Sequence, residues 1–108
     1  MTALSSLLRG ASAAEPILTT TSVGAAAGTI IGANTVGGAL TITAPGSPTA
    51  SMAFRVIDVG GVAGTNNITI NGGGSKIAGS VSDFLMDNNW IDVTFVYYDV
   101  TIGWAPSR

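Results

Sequence analysis

Between residues 17 and 104 the sequence is a series of short β-branched runs, cut at close intervals by glycine, proline and asparagine. Residues 17–21 and 28–31 are such runs, separated by a stretch of small residues. Leu40, Thr41, Ile42, Thr43 and Ala44 alternate apolar with polar and stop at Pro45-Gly46, a strong turn signal prolonged by Ser47-Pro48. Residues 52–59 form the next run, closed by Gly60-Gly61. In residues 67–71, Ile68 and Ile70 share one face and the polar residues take the other. Gly72, Gly73 and Gly74 turn the chain into residues 76–78. A short strand over 81–86, a turn at Asp87-Asn88-Asn89, the longest strand over 90–98 and a last one over 100–104 follow. Eight or nine strands at spacings of roughly 8–12 residues predict a small all-β domain, an antiparallel sandwich of jelly-roll or small-barrel kind. Nothing alternates with long helices, so an α/β fold is excluded.

Along residues 90–98 one alternate set is Ile91, Val93, Phe95 and Tyr97, which is wholly apolar and predicted to face the core. The other set is Trp90, Asp92, Thr94, Val96 and Tyr98. Trp90, Val96 and Tyr98 on that mixed face exceed what solvation needs and are the candidate subunit interface; a second sheet layer would also account for them.

Ahead of the β domain, residues 1–16 read as an N-terminal arm. Leu4, Leu7 and Leu8 fall on one helical face before Gly10 and Pro16 interrupt the pattern. Leucines on an arm need a surface to bury them, so Leu4, Leu7, Leu8 and Arg9 are the candidate contact with a larger partner; a helix packed on the arm's own domain is the alternative. The apolar run is too short for a secretory signal and carries no basic residue at its start. The β domain is expected over residues 17–108.

Composition sharpens the functional reading. Only 9% of residues are charged, against about 25% in a typical globular domain. Mean hydropathy is positive, at +0.49. No stretch approaches the roughly 20 apolar residues of a spanning helix, so no membrane partner is expected and burial against other subunits accounts for the apolar surface. Four basic residues against six acidic ones give a net charge of −2, which cannot neutralise a phosphate track, and no nucleic-acid partner is expected.

The chain has no histidine and no cysteine. Ser-His and Cys-His nucleophile pairs and thiolate metal sites are therefore excluded. Ser75-Lys76 is a formal nucleophile–base pair, but adjacent strand residues point to opposite faces. Asp83, Asp87 and Asp92 sit at turns or on the mixed face, where capping and solvation are the ordinary roles. Gly72-Gly73-Gly74-Ser75-Lys76 lacks the Walker spacing and reads as a β-turn. Asp87-Asn88-Asn89 offers hard oxygen ligands for calcium, yet the same residues form Asx turns without an ion. No enzyme activity, metal or cofactor is expected.

Residues 54–61, Phe-Arg-Val-Ile-Asp-Val-Gly-Gly, precede Ala63-Gly64-Thr65-Asn66-Asn67-Ile68-Thr69-Ile70 and a glycine-rich turn. Trp90 through Tyr98-Asp99-Val100-Thr101-Ile102-Gly103-Trp104 then close the sequence. Over roughly residues 39–104 this order resembles a β module of tailed-bacteriophage virion proteins. There a strand ending in Asp and glycine leads into an Asn-Asn-Ile-Thr-Ile strand, and a final hairpin ends on tryptophan. The resemblance implies a virion structural protein that assembles as a homotrimer. It would be a capsid decoration (cement) protein on the major capsid protein at the capsid surface or, alternatively, a tail-fibre or host-recognition module. One departure stands out: Asp99-Val100-Thr101 occupies the turn where the module has glycine, and a β-branched residue tolerates positive φ poorly.

Overall fold

A computed structural model describes residues 16–108. They form nine strands: β1 (Pro16–Thr19), β2 (Val23–Gly24), β3 (Ile30–Ala33), β4 (Leu40–Thr43), β5 (Ala53–Asp58), β6 (Ile68–Asn71), β7 (Phe84–Met86), β8 (Asp92–Tyr97) and β9 (Trp104–Ser107). The all-β expectation holds. Pro16, assigned to the arm by sequence, opens β1 instead, and the rest of the expected arm, with Leu4, Leu7, Leu8 and Arg9, lies outside the described residues.

The strands sort into two sheets, in the orders β1-β3-β5-β8-β9 and β2-β4-β6-β7. Through β6 the chain alternates between them, so each odd–even pair is one turn of a coil. Successive turns stack in parallel: Pro16 lies opposite Ile30 and Ile30 opposite Arg55 in the first sheet, and Leu40 opposite Ile68 in the second. Parallel neighbours need a long crossover, usually a helix; here the strand in the opposite sheet is the crossover. After β6 the direction reverses, and β7, β8 and β9 add antiparallel.

The expected antiparallel, jelly-roll-like sandwich is thus corrected to two mixed sheets, parallel in the coil and antiparallel only in its closing strands. The physical reason is that alternation reports one buried and one exposed face, not strand direction. Parallel strands covered on both faces lose alternation, but these keep an open outer face. Turn signals such as Pro45-Gly46 mark corners of the coil rather than hairpins.

Inward columns run across the stack. Ile31, Val56 and Val93 are register neighbours and all buried, as are Leu40, Ile68 and Met86. Ile91, Val93, Phe95 and Tyr97 face this core as the alternation predicts. Four aromatic contacts lock the closing strands to it. Phe54 and Phe95 stack at 4.9 Å, Trp104 meets Phe54 edge-on at 5.0 Å and Tyr97 at 5.4 Å, and Phe84 crosses from the second sheet to Phe95 at 5.4 Å. Such pairs add about 0.5–1.5 kcal/mol each beyond the area they bury.

Three expected strands change. Residues 76–78 supply only isolated bridges from Ile77 to Ser80 and Trp104. The last strand starts at Trp104, and β8 starts at Asp92, leaving Trp90 outside it.

Candidate interaction surface

The β5–β6 corner is organised by a carboxylate with no exposed surface. Asp58 ends β5 with its side chain pointing inward, in the column of Ala33. Its Oδ1 accepts the Gly61 N–H at 3.0 Å; its Oδ2 accepts those of Ala63 at 3.0 Å and Trp90 at 2.9 Å. A buried charge is tolerated only when its hydrogen-bonding capacity is met, and three backbone donors meet it here. The same atoms fix the loop after β5 and tie it to the loop before β8. A second tie runs beside it, since Gly64 N–H donates to Asn89 Oδ1 at 2.8 Å. Asn89 therefore bridges two loops, where the sequence allowed a local Asx turn or a calcium ligand.

This bracing sets the backbone of Trp90 at φ +63°, a region costly for bulky residues and retained only where the surroundings over-determine it. The indole lies over Gly61, where any Cβ would collide with the ring. Even so, Trp90 is 68% exposed. Beside it, Gly60 leaves room for Asn34 and Val36, and Val59 covers Gly32 next to Leu18. Val36, Val59 and Leu18 are exposed as well, so the corner presents an apolar surface on a braced backbone.

At the far end of β8 lies a second apolar group. Asp99 Oδ1 accepts the N–H groups of Thr101 at 2.9 Å and Ile102 at 2.8 Å, and Asp99 O accepts that of Gly103 at 2.7 Å. Positive φ falls on Gly103, at +71°, not on Val100 or Thr101. No β-branched residue of the turn therefore bears a positive φ. Tyr98, Val100 and Ile102 are exposed there, near Val81. Between them a cleft of about 340 Å³ is lined by Asn71, Lys76, Val81, Asp83, Tyr97 and Val100.

The predicted interface residues are accordingly separated. Trp90 and Tyr98 stand beyond opposite ends of β8, and Val96 lies between them, half-buried beside Ala53 and Ala105. The exposures of Val36, Val59 and Leu18 were not legible in sequence, because Leu18 and Val59 belong to apolar runs and Val36 falls between runs.

The charged candidates take structural places. Arg55 makes a two-point pair with Asp92, Nε to Oδ1 at 2.9 Å and Nη2 to Oδ2 at 2.6 Å. The Asp92 hydrogen bond, aided by its charge and against partial desolvation, raises the guanidinium above its ordinary value. Asp83 accepts from Asn71 Nδ2 at 3.1 Å. Ser75 N–H closes the glycine turn on Gly72 O at 3.1 Å, and the carbonyl of Lys76 accepts the Trp104 N–H at 2.8 Å. Among the described residues, no three acidic, histidine or cysteine side chains gather as a metal site would require. Compared with known proteins, the chain matches no family model and no curated sequence.

Proposed function

We propose that the chain is a non-catalytic virion structural protein, a capsid decoration (cement) protein that binds the outer capsid surface as a homotrimer and stabilises the shell. The observation that carries this reading is the Trp90 corner. An exposed indole flanked by Val36, Val59 and Leu18 sits on a backbone fixed by a buried carboxylate. A contact surface fixed in advance loses little entropy on docking, and aromatic anchors dominate interface energy. The mechanism is energetic: each copy bridges major capsid proteins, and apolar burial at roughly 25 cal/mol per Å² is repeated over the shell. The resemblance over residues 39–104 supplies the virion setting and the trimer.

The test is thermal release of DNA from particles with and without the protein. Particles lacking it should release DNA at lower temperature, and particles carrying Trp90→Ala should bind less of it. Identical release curves would reject the cement role.

One observation favours a second reading, as a tail-fibre or host-recognition module. Trp90 and Tyr98 offer exposed aromatic rings to a sugar or receptor. Binding of the isolated protein to host cells or glycans, without binding to capsids, would select it.

A further inference from the structure

The cleft beyond the end of β8 holds polar groups that the fold does not use. It is lined by the β6–β7 loop and the β8–β9 turn, and Tyr97 reaches it from β8. β1, where the described residues begin, is separated from β8 by β3 and β5. The volume of about 340 Å³ falls at the small end of ligand clefts, which span roughly 300–1,000 Å³. Its walls are fixed before anything binds. Asn71 Oδ1 accepts the Gly73 N–H at 2.8 Å, and its Nδ2 donates to Asp83 Oδ1 at 3.1 Å. One side chain thus braces the glycine turn and joins it to the far end of the same loop. Within that loop Ile77 and Ser80 exchange backbone bonds at 2.8 and 3.0 Å. Asp99 closes the turn that carries Val100.

Three groups in the cleft remain without partners among the described residues. Lys76 makes no ion pair, although Asp83 lines the same cleft. Asp83 Oδ2 accepts no hydrogen bond, since Asn71 uses only Oδ1. Tyr97 is only 7% exposed, and its hydroxyl bonds to no described residue. The side-chain atoms that are both buried and unmet are Thr35 Oγ1 and Trp104 Nε1. The Tyr97 hydroxyl therefore keeps accessible surface, and the cleft is where Tyr97 meets solvent.

Opposite charges that share a cleft without pairing select the ligand. An anion would be drawn to Lys76 and repelled by Asp83, and a cation the reverse. An apolar molecule would strip water from both charges and return nothing. An amino-acid zwitterion would satisfy the charges but leave the Tyr97 hydroxyl and the apolar wall unused. A sugar hydroxyl donates to a carboxylate and accepts from an ammonium or a phenol. Neighbouring hydroxyls on one ring can thus meet Lys76, Asp83 and Tyr97 together. The C–H face of such a ring matches Val81 and Val100, both exposed.

We propose that this cleft binds one neutral sugar residue, with Lys76, Asp83 and Tyr97 as its polar contacts. The site is separate from the Trp90 corner, which lies beyond the opposite end of β8, and it stands whether or not the chain decorates a capsid. The test is titration of the full chain with the methyl glycosides of glucose, galactose, mannose and N-acetylglucosamine, followed by backbone amide shifts. At least one should give saturable shifts at residues 71–76, 83 and 97–100, with a Kd in the millimolar range. Lys76→Gln and Asp83→Asn should each weaken that glycoside about tenfold. Asparagine keeps the oxygen that Asn71 uses, so the loop survives the second change. Tyr97→Phe keeps the ring against Trp104 and should weaken binding at least about twofold. Thr41→Ala, at an exposed position of β4, should leave the affinity unchanged. Glycine and inorganic phosphate should give no saturable shift at these residues. The proposal is overturned if no glycoside gives saturable shifts, which is also the result if the chain itself fills the cleft. It is overturned equally if glycine or phosphate binds there in place of the glycosides, or if the Lys76 and Asp83 variants bind the glycoside as the parent does.

Discussion

Asp58 and Trp90 are 32 residues apart in sequence, and the carboxylate of one holds the backbone N–H of the other at 2.9 Å. The bond joins the corner after β5 to the entry of β8, the two strands that make the antiparallel junction of the first sheet. An asparagine can present only one oxygen to the three donors that Asp58 serves. Asp58→Asn should therefore destabilise by about 2–4 kcal/mol, since each buried donor left unmet costs on the order of 1–3 kcal/mol. Urea unfolding at constant m-value checks this.

Trp90 separates stability from docking. Its side chain is mostly exposed, and its positive φ is relieved by glycine but not by alanine. Trp90→Gly should unfold within about 1 kcal/mol of the parent, with relief of strain of roughly 1–2 kcal/mol offsetting the lost contact with Gly61. Trp90→Ala should be the less stable of the two, and both should dock poorly. Thermal melts beside particle binding distinguish these effects.

Two glycines with positive φ should respond unequally to the same change. A Cβ on Gly103 would overlap the Lys76 carbonyl that the Trp104 N–H uses, whereas a Cβ on Gly74 would meet nothing. Gly74→Ala should cost only backbone strain, about 1 kcal/mol. Gly103→Ala should cost at least about 3 kcal/mol, because backbone must shift at the hairpin that presents Trp104. Paired denaturation curves test the difference.

Thr35 offers the opposite sign. It is fully buried, and among the described residues its Oγ1 finds no partner, while its backbone carbonyl accepts from Asn66 Nδ2 and from Gly38 N–H. Thr35→Val keeps shape and backbone bonds and removes an unmet hydroxyl, so a gain of about 1 kcal/mol is expected in a chemical melt.

The Arg55–Asp92 pair is some two-fifths exposed on each side. Solvent screening limits it to under about 1 kcal/mol despite its two-point geometry. The raised guanidinium contributes fully below its ordinary value and loses its contribution only as pH climbs past its folded value, beyond the working range. A double-mutant cycle should thus be flat from neutral to mildly alkaline pH and shrink with salt.

What the sequence revealed followed from side-chain alternation. Ile68 and Ile70, or Val93 and Phe95, declare a buried face whatever strand lies beside them, so strand positions and core were legible. Strand direction was not, because Leu40–Thr43 alternates identically beside a parallel or an antiparallel neighbour. β2 is only two residues long and too brief for any periodicity. Trp90 read as a strand residue because its neighbours Ile91 and Val93 set the rhythm, and only the distant Asp58 explains its backbone. The exposed corner formed by Val36 and Val59 depends on where Gly60 and Gly61 let the chain turn, which composition cannot locate.

Trp104 is fully buried, yet it comes from β9, which is synthesised after every strand it packs against. On the ribosome the coil emerges first, with Phe54 already in place and its edge-on partner still unmade. Until β9 clears the exit tunnel, Phe54, Phe95 and Tyr97 share a vacancy the size of an indole. The core therefore closes only after translation has passed residue 104, and a nascent chain stalled earlier should remain a substrate for chaperones and proteases.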